Sequence, residues 1–496
     1  MCYPSLEQAK KMLDMKKYNI LPIRMELFAD CRTPMQVLRV LKHMSRHCYM
    51  LESAENHKQW GRYTFLGYDP TLELTCHNHH LRMKSGMTIE KEVEHPGEYI
   101  RDILKQYKSP KIQGMPPFTG GLVGYFSYDY IKYSEPTLKI EDEGEDNFKD
   151  MDLMLFDKVI AFDNYQQKIV LIANVRLDNL EENYHRAVTE LQNMAKLIME
   201  GEPEPAKPLV LKSEFKGLFS KEEYCEMVEK AKNYIREGDI FQVVLSNRFE
   251  ADMEGSLLDA YRVLRTTNPS PYMFYFSSDD VEISGASPET LVKLEDNRLF
   301  TFPLAGTRPR GASEVEDNQL EAELLADEKE LAEHNMLVDL GRNDIGKISS
   351  IASVNVDKYM SIEKFSHVMH IGSTVSGRIR KDKDAVDAVD AILPAGTLSG
   401  APKLRACEII HELEHNKRGI YGGAIGYLDF TGNLDTCIAI RLAFAHKGKV
   451  YVRSGAGIVA DSVPEKEYQE CINKSKAVME ALNTAKEGID HDFTYR

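Results

Sequence analysis

Residues 450–460 read VYVRSGAGIVA, a strand pattern that runs into two glycines and a terminal alanine. The spacing G-x-G-x-x-A after a strand is typical of the turn that binds a dinucleotide at the start of a strand–helix–strand unit. The chain ends at residue 496, which leaves too little sequence for the second strand and for the acidic residue that binds the ribose. We therefore reject a doubly wound nucleotide-binding fold for this stretch.

The other strand patterns do not alternate regularly with helices. In the second half of the chain, strands are predicted at residues 241–249, 272–276 and 450–452. In the first 200 residues, strands are predicted at 63–72 and 159–175, and helices at 34–47 and 181–199. This irregular order favours an α+β fold with antiparallel sheet.

A proline-rich stretch separates two regions of the sequence. Pro203, Pro205 and Pro208 forbid a continuing helix after residue 200. We therefore predict an N-terminal domain at 1–200, a linker at 201–215 and a C-terminal catalytic domain at 216–490.

The composition excludes several classes of partner. The formal net charge of −16, from 62 Lys and Arg against 78 Asp and Glu, argues against nucleic acid and against anionic membranes, because phosphate binding needs clustered cations. The eight cysteines show no C-x-x-C spacing, and no apolar stretch reaches ~18 residues. We predict a cytoplasmic protein with free thiols. A metal site at Cys76-His77-Asn78-His79-His80 is disfavoured, because alternation along a strand would split these side chains between two faces.

Two predicted helices each carry a pair of glutamates. A helix over residues 318–338, with Asn318 and Glu321 as a capping box, places Glu330 and Glu333 on one face. A single such pair is usually a solvated acidic face.

A second helix over residues 464–482, with Ser462 and Glu465 as a capping box, places Glu467 and Glu470 side by side. Two such pairs would repel each other if they met without a cation. Mg²⁺ would relieve that repulsion, because it prefers carboxylate oxygens.

Three further segments contain residues suited to a ligand site. The glycines of Gly455-Ala456-Gly457 permit close backbone approach of a ligand carboxylate, which we expect at a helix N-terminus. Residues 302–311 combine a turn, a hydroxyl and two guanidinium groups, and residues 394–403 form a long loop. His370 is flanked by apolar residues, so it is either a core histidine or an acid–base group with a carboxylate partner.

Together, five segments resemble, in order, the motifs of the chorismate-binding enzymes: residues 304–311, 332–344, 366–370, 396–403 and 455–470. The resemblance covers roughly residues 220–480. The family includes anthranilate synthase component I, aminodeoxychorismate synthase component I, and the isochorismate and salicylate synthases. It implies two large antiparallel β-sheets packed as a sandwich with flanking helices, and Mg²⁺ as the metal.

The resemblance also implies roles for individual residues. It places Mg²⁺ on Glu333 and Glu470, with Glu330 and Glu467 alongside through water. It matches His370 to proton handling near the leaving 4-hydroxyl and Thr397 to the substrate pocket. The groups that it places around chorismate are Gly306, Thr307, Tyr421, Arg441, Gly455, Ala456 and Gly457. An arginine fork suits a substrate carboxylate, because it binds it through two hydrogen bonds.

Two positions discriminate between reactions within the family. Isochorismate and salicylate synthases carry a water-activating lysine where this chain has Gln242, and many aminodeoxychorismate synthases carry a lysine where it has Ala305. These two residues favour attack of ammonia at C2, which predicts a lyase that forms anthranilate and pyruvate. The alternatives are an aminodeoxychorismate synthase component I and a catalytically silent tryptophan-binding homologue.

Two segments resemble the feedback tryptophan site of this branch of the family. They are residues 51–53 and 268–274, and they imply that Ser53, Pro271, Tyr272 and Met273 bind tryptophan as inhibitor. No cysteine lies in a G-x-C-x-G motif, so the chain lacks a glutaminase nucleophile of that type. We therefore expect ammonia from solution or from a separate glutamine amidotransferase subunit, component II of the pathway to tryptophan.

Overall fold

The computed structural model of the chain describes residues 2–12, 17–53, 61–138, 148–205, 207–364 and 368–486. Trp60, Ser366 and His367 lie outside the described residues. The helices are α1 Leu6–Met12, α2 Pro34–Met44, α3 Gly97–Gln106, α4 Ile131–Ser134, α5 Leu180–Glu200, α6 Lys221–Glu237, α7 Leu258–Thr267, α8 Glu314–Ala326, α9 Glu328–Gly346, α10 Ala385–Ile392, α11 Lys403–Glu414 and α12 Pro464–Ala485.

The strands fall into an N-terminal and a C-terminal group. The N-terminal strands are β1 Ile20–Phe28, β2 Cys48–Glu52, β3 Tyr63–Tyr68, β4 Leu72–His77, β5 His80–Ser85, β6 Met87–Glu92, β7 Gly121–Phe126, β8 Met151–Phe156, β9 Lys158–Asp163 and β10 Lys168–Arg176. The C-terminal strands are β11 Val210–Leu211, β12 Lys216–Gly217, β13 Gln242–Glu254, β14 Tyr272–Ser277, β15 Val281–Ser287, β16 Thr290–Glu295, β17 Arg298–Thr301, β18 Leu304–Pro309, β19 Asn355–Lys364, β20 Val368–Arg378, β21 Gly400–Ala401, β22 Ala424–Asp429, β23 Leu434–Ile438, β24 Leu442–His446 and β25 Lys449–Ile458.

These strands form two antiparallel sheets, and each sheet joins one N-terminal block to one C-terminal block. The first sheet runs β1-β10-β9-β3-β2-β14-β15-β24-β25-β13-β11, with β12 and β21 also on β13. The second runs β18-β20-β17-β16-β23-β22-β7-β8-β4-β5-β6, with β19 on β20. The blocks meet at two strand pairs, β2–β14 and β7–β22, which we call the seams.

The space between the two sheets is filled by large apolar side chains. Tyr49, Phe65 and Phe274 of the first sheet pack with Tyr125 and Ile425 of the second. Burying a side chain of this size contributes about 1.5–3 kcal/mol. Helices α2, α5, α7 and α12 cover the outer face of the first sheet. The predicted α+β sandwich with flanking helices is confirmed.

The two predicted regions share both sheets. Residues 201–205 and 207–208 belong to no helix or strand, as expected of a linker, while Val210–Leu211 already joins the first sheet. The division into domains at 1–200 and 216–490 stays a prediction, although the seams show that strands from the two regions hydrogen-bond to each other. All eight cysteines lie within the described residues and are free thiols.

The predicted helix over residues 318–338 was wrong, because two helices occupy this stretch. Ser313, not Asn318, caps α8, and its side chain accepts a hydrogen bond from the amide of Glu316. Asp327 ends α8 and caps α9, accepting from the amides of Lys329 and Glu330. Aspartate is a preferred N-cap because its carboxylate satisfies amides at a helix start.

The start of α12 also differs from the prediction. Val463 is its N-cap residue and makes no side-chain capping hydrogen bond. The hydroxyl of Ser462 instead accepts from the amide of Val459 at 3.1 Å, so the predicted capping box with Glu465 was wrong. Cys471, Ser475 and Leu482 lie on the buried face of α12.

Several strand boundaries were also wrong. Residues 159–175 form the hairpin β9–β10 rather than one strand, and residues 63–72 are interrupted between β3 and β4. Asn78 and His79 form the β4–β5 turn, with φ of 45° and 64°. Strand β25 continues through the glycines to Ile458, so these glycines do not lie at a helix N-terminus.

Among the described residues, no helix is both long and apolar enough to cross a membrane.

Candidate active site

Helices α9 and α12 bring the two glutamate pairs together. Burial raises the pKa of Glu333, and the neighbouring carboxylates of Glu330 and Glu470 raise it further. Burial also raises the pKa of Glu467, with Glu470 adding to it. Each pair lies on one helical face because its members are three residues apart. The predicted spacing is therefore seen on both helices, with one pair on α9 and the other on α12, and their role as a metal site stays a prediction.

Positive charge at this cluster comes from Lys329 and from Lys474. Nζ of Lys474 lies 2.7 Å from Oε1 of Glu470, and its charge offsets the raised pKa of Glu333 and of Glu467. Together with Arg308, whose Nη1 lies 3.8 Å from Oε1 of Glu330, these two lysines still leave the four carboxylates with a surplus negative charge. Carboxylate oxygens are the ligands that Mg²⁺ prefers, so the chemistry of these side chains suits a magnesium ion, although no three of the four glutamates bring ligand atoms within 4.8 Å of one another.

The turn at Gly306 lies directly against this cluster. Gly306 has a φ of 64°, and a Cβ there would lie 2.9 Å from Cδ1 of Leu324 and 3.2 Å from Oε2 of Glu330. The pairing of β18 with β20 shifts register between Ala305 and Arg308, which produces the turn. Glycine is required here by both the backbone conformation and the close approach.

His370 of β20 is anchored to the same turn. Its Nδ1 lies 2.8 Å from the Gly306 carbonyl oxygen and 3.1 Å from Oγ1 of Thr307. A carbonyl only accepts, so Nδ1 carries the proton in that bond and Nε2 is the basic nitrogen. Burial lowers the pKa of His370, and the charge of Arg441 lowers it further. The predicted turn, histidine and arginine therefore lie in one site.

Glu289, between β15 and β16, is a site residue that the sequence reasoning missed. Oγ1 of Thr397 donates to Oε1 of Glu289 at 3.3 Å. Burial raises the pKa of this carboxyl to about 7, although Arg441 and Lys474 act against the rise. The available signal was an acidic residue between two predominantly buried strands, in the segment Ser287-Pro288-Glu289. An acid with a pKa near neutrality in such a cluster is a candidate for proton transfer.

Strand β25 forms one wall of the site. The carbonyl of Gly455 accepts from Nζ of Lys474 at 3.1 Å. A Cβ on Gly455 would lie 2.5 Å from the Leu245 carbonyl oxygen and 3.1 Å from the Tyr421 hydroxyl. Ala456 is fully buried and its side chain belongs to the core, so only its backbone is available to a ligand.

Gln242 lies beside the other glycine of this wall. A Cβ on Gly457 would lie 2.8 Å from Nε2 of Gln242. The side chain is buried, and its Oε1 has no hydrogen-bond partner among the described residues. Gln242 is therefore next to the predicted substrate wall, and Ala305 of the Gly306 turn is buried on β18.

A buried ion cluster supports this wall from behind. Glu414 lies 2.6 Å from both Arg418 and Arg453, and all three side chains are at most 2% exposed. The amide and hydroxyl of Ser246, which pairs with Gly455, also donate to Glu414. Burial alone would raise the pKa of Glu414, but the two arginines outweigh it and lower the pKa. Removing one member would leave a buried charge without its partner.

The predicted tryptophan residues line a separate cavity. It lies at the seams, with walls from β2, β3, β14 and β22, and we call it the seam cavity. Its lining includes Leu51, Glu52, Ser53, Tyr63, Phe65, Pro271, Tyr272, Met273, Tyr427 and Asp435. The hydroxyl of Tyr272 donates to Oδ1 of Asp435 at 2.8 Å. The structure thus brings both predicted tryptophan segments together in one cavity. This cavity contains none of the four glutamates of α9 and α12.

A comparison with known protein families assigns the chain to one of them. The family model described as chorismate binding enzyme matches residues 46–480. The chain belongs to the chorismate-binding enzymes. The match extends well beyond the 220–480 resemblance seen in the sequence, because the N-terminal blocks complete the same two sheets.

Members of this family with high similarity to the chain carry one name. The anthranilate synthase component 1 of Acetivibrio thermocellus is 46% identical, over 98% of this chain and 100% of that protein. Its namesake from Aquifex aeolicus is 44% identical, over 97% of this chain and 98% of that protein. The predicted family and its enzymatic nature are confirmed.

Solved structures of chorismate-binding enzymes agree with the fold. Anthranilate synthase component I from Streptococcus pneumoniae has a TM-score of 0.74 and 38% identity, covering 91% of this chain and 98% of that one. The menaquinone-specific isochorismate synthase of Escherichia coli has a TM-score of 0.70 at 20% identity, covering 96% and 98%. At that identity, the second similarity concerns the fold alone.

Proposed function

We propose that this chain is the chorismate-converting component of an anthranilate synthase. It converts chorismate and ammonia into anthranilate, pyruvate and water. The observation that carries the proposal is the full-length similarity to proteins named anthranilate synthase component 1. Gln242 and Ala305 support it, because neither side chain supplies the lysine amine that related reactions use.

Substrate binding follows from the charges of the site. Arg441 and the backbone of β25 between Gly455 and Gly457 receive one carboxylate of chorismate, with Tyr421 beside them. Glu333 and Glu470 would hold Mg²⁺ near the second carboxylate, with Glu330 and Glu467 beside them. When bound, the ion neutralises the substrate carboxylate and withdraws electron density from the ring.

Two groups move protons in this mechanism. Glu289 has a pKa of about 7, so it is partly protonated at neutral pH and donates to the departing 4-hydroxyl. Thr397 orients it through their hydrogen bond. His370 is held neutral by its lowered pKa and is the second proton-handling group beside the leaving 4-hydroxyl, the role that the resemblance implies.

The source of ammonia and the inhibitor site both lie outside the catalytic site. Ammonia is supplied by a separate glutamine amidotransferase subunit, consistent with the word "component" in the names of the relatives. Tryptophan binds in the seam cavity as inhibitor, between Ser53 on one side and Pro271, Tyr272 and Met273 on the other. The free thiols suit the reducing cytoplasm that we propose as its location.

The test is an assay of the purified chain with chorismate, Mg²⁺ and ammonium salts, with anthranilate followed by its fluorescence. We expect anthranilate and pyruvate in equal amounts, and loss of both on chelation of Mg²⁺. If 4-amino-4-deoxychorismate were the sole product, the chain would be an aminodeoxychorismate synthase component I. If Glu470→Ala left every measured function unchanged, a silent tryptophan-binding homologue would replace the proposal.

A further inference from the structure

A histidine and two carboxylates meet at one end of the β2–β14 seam. Nε2 of His47 lies 3.0 Å from Oδ1 of Asp279 and 3.3 Å from Oε2 of Glu73. Within the described part of the chain, this is the one group in which three histidine, cysteine or carboxylate side chains bring ligand atoms within 4.8 Å of one another. The glutamates of α9 and α12 do not meet that condition, so this group is a separate candidate for a cation.

The three residues come from parts of the fold that are distant along the chain. His47 directly precedes β2, and Asp279 lies in the turn between β14 and β15. The last strand pair of the seam, Cys48 with Ser277, lies next to them. Glu73 belongs to β4 of the second sheet. The group therefore joins both blocks of the first sheet to the second sheet, at the end of the seam opposite the seam cavity.

The directions of these contacts suit a metal ion better than a proton. Nε2 of His47 is shielded from solvent, yet it has no hydrogen bond with any described residue. Both carboxylate oxygens are close enough for hydrogen bonding, so they lie to the side of the ring N–H direction, where such a bond is weak. Ligands of one metal ion flank the metal–nitrogen axis in this way. With metal–ligand bonds of about 2.0–2.2 Å, neighbouring ligand atoms lie roughly 2.9–3.5 Å apart, and both distances at His47 fall in this range.

Lys84 of β5 turns the two carboxylates toward the histidine. Its Nζ lies 2.9 Å from Oε1 of Glu73 and 3.1 Å from Oδ2 of Asp279. It thus takes one oxygen of each carboxylate and leaves the other oxygen facing His47. Groups that hydrogen-bond to metal ligands fix the orientation of those ligands in the same way. One lysine against two carboxylates leaves one negative charge when the imidazole is neutral, and a divalent cation offsets it.

We propose that His47, Glu73 and Asp279 bind a divalent transition-metal ion, with Zn²⁺ as the favoured ion. One imidazole and two carboxylates suit Zn²⁺, whereas Mg²⁺ prefers oxygen ligands alone. Water takes the remaining coordination position, because the Asp279 side chain is 41% exposed. The ion stabilises the fold by tying the two sheets and both blocks together at this end of the seam. The site is independent of the proposed function.

The experiment counts the Zn²⁺ ions that the full chain binds in equilibrium dialysis, after metal removal and with Mg²⁺ in excess to compete at the active site. His47→Ala should bind one Zn²⁺ fewer per chain than the unmodified chain. His43→Ala is the matched control, because His43 is an exposed histidine four residues away, and its count should equal that of the unmodified chain. Zn²⁺ held by the free thiols does not affect the difference, because all three proteins share the same cysteines.

A second variant separates metal binding from a loss of structure. Asp279→Asn changes an exposed turn residue and should keep the fold, with Zn²⁺ affinity at this site at least about 10-fold weaker. In the same excess of Mg²⁺, Zn²⁺ at about 100 times its dissociation constant should raise the melting temperature of the unmodified chain by roughly 2–4 °C. This rise should be lost in Asp279→Asn. If His47→Ala fails to fold, these two results decide on their own.

The opposite results would overturn the site. An equal Zn²⁺ count in His47→Ala and in the unmodified chain would do so, and so would an unchanged affinity in Asp279→Asn. If the unmodified chain bound no Zn²⁺, the group would be an ion-pair network in which His47 carries a proton in place of the metal. Neither chorismate nor anthranilate enters these measurements, so failure of the site and failure of the proposed function are distinguishable.

Discussion

The active site and the seam cavity use the same two sheets in opposite ways. The active site gathers charge, with four glutamates, Lys474, Arg441 and Glu289 in mutual contact or electrostatic reach, and its residues come from the C-terminal block alone. The seam cavity is lined largely by aromatic and aliphatic side chains, and its walls come from both blocks. The candidate active site is thus confined to one block, while the seam cavity, our proposed regulatory site, spans the junction between the two.

This difference explains why the two sites can be perturbed separately. Charged groups stabilise charge on a substrate only when they are fixed in place. An apolar cavity at a junction binds a ligand through buried area and can change how its walls meet. Substitutions in one site should therefore leave binding at the other largely intact, and the predictions below test that expectation from the largest effect to the smallest.

The largest effect is expected for Glu470→Ala. Loss of this carboxylate should lower ammonia-dependent turnover by about 100-fold or more, because several kcal/mol of charge stabilisation by the metal are lost. Calorimetric binding of tryptophan in the absence of chorismate should not change. Glu480→Ala is the control, because Glu480 is exposed on the same helix and pairs only loosely with Lys476, at 3.6 Å. Full turnover in Glu470→Ala would contradict the assignment.

Glu289→Gln should lower the rate by about 10²–10⁴-fold, the usual contribution of a general acid. The pKa of Glu289 is raised to about 7, so the proton-donating form is present below pH 7 and is lost as the pH rises through that value. At saturating ammonia, the turnover number of the unmodified chain should fall above pH 7. The variant should lack this alkaline limb. A variant that kept the limb would show that another group titrates.

Ser53→Phe should abolish inhibition by tryptophan while ammonia-dependent turnover stays within about twofold. The added ring would occupy the seam cavity beside Met273. We expect the tryptophan concentration for half-inhibition to rise at least about 10-fold, which corresponds to about 1.4 kcal/mol. Loss of turnover with inhibition preserved would show that Ser53 serves the active site instead.

The smallest effect is expected when Gly306 is changed to alanine and compared with the same change at Gly86, a glycine of similar backbone conformation. Gly86 has a φ of 71° and open space around its Cβ position, whereas Gly306 has Leu324 and Glu330 close by. Each change to alanine should cost about 1–2 kcal/mol of unfolding free energy from the left-handed backbone. Only Gly306→Ala should also reduce turnover. Equal turnover in both variants would separate this turn from the active site.

The sequence predicted the site better than it predicted the elements that carry it. Glu330 and Glu333 were placed on one face correctly, although Asp327 divides their predicted helix in two. Asn318 and Ser313 are both good N-cap residues, so local preference did not choose between them. The fold and most of the predicted roles came from the motifs, since no local pattern reveals that β2 pairs with β14.

Two features of the site could not be predicted from the sequence: the role of Glu289 and the strand conformation of residues 455–457. The raised pKa of Glu289 comes from burial by residues distant in sequence, which a local pattern does not reveal. The glycines at 455–457 were expected at a helix start, yet they continue β25 because β13 pairs with them across the strand. Tertiary pairing outweighs the weak strand preference of glycine.

The two seams also determine when the chain can fold during its synthesis on the ribosome. Strands β2 and β7 form the edges of their N-terminal blocks, and their partners β14 and β22 begin at Tyr272 and Ala424. Until those residues are made, both half-sheets have an unpaired edge, which is a template for aggregation. Pairing over such long separations is also slow. Emergence of β22, rather than of the first half of the chain, therefore sets the time at which both seams can close.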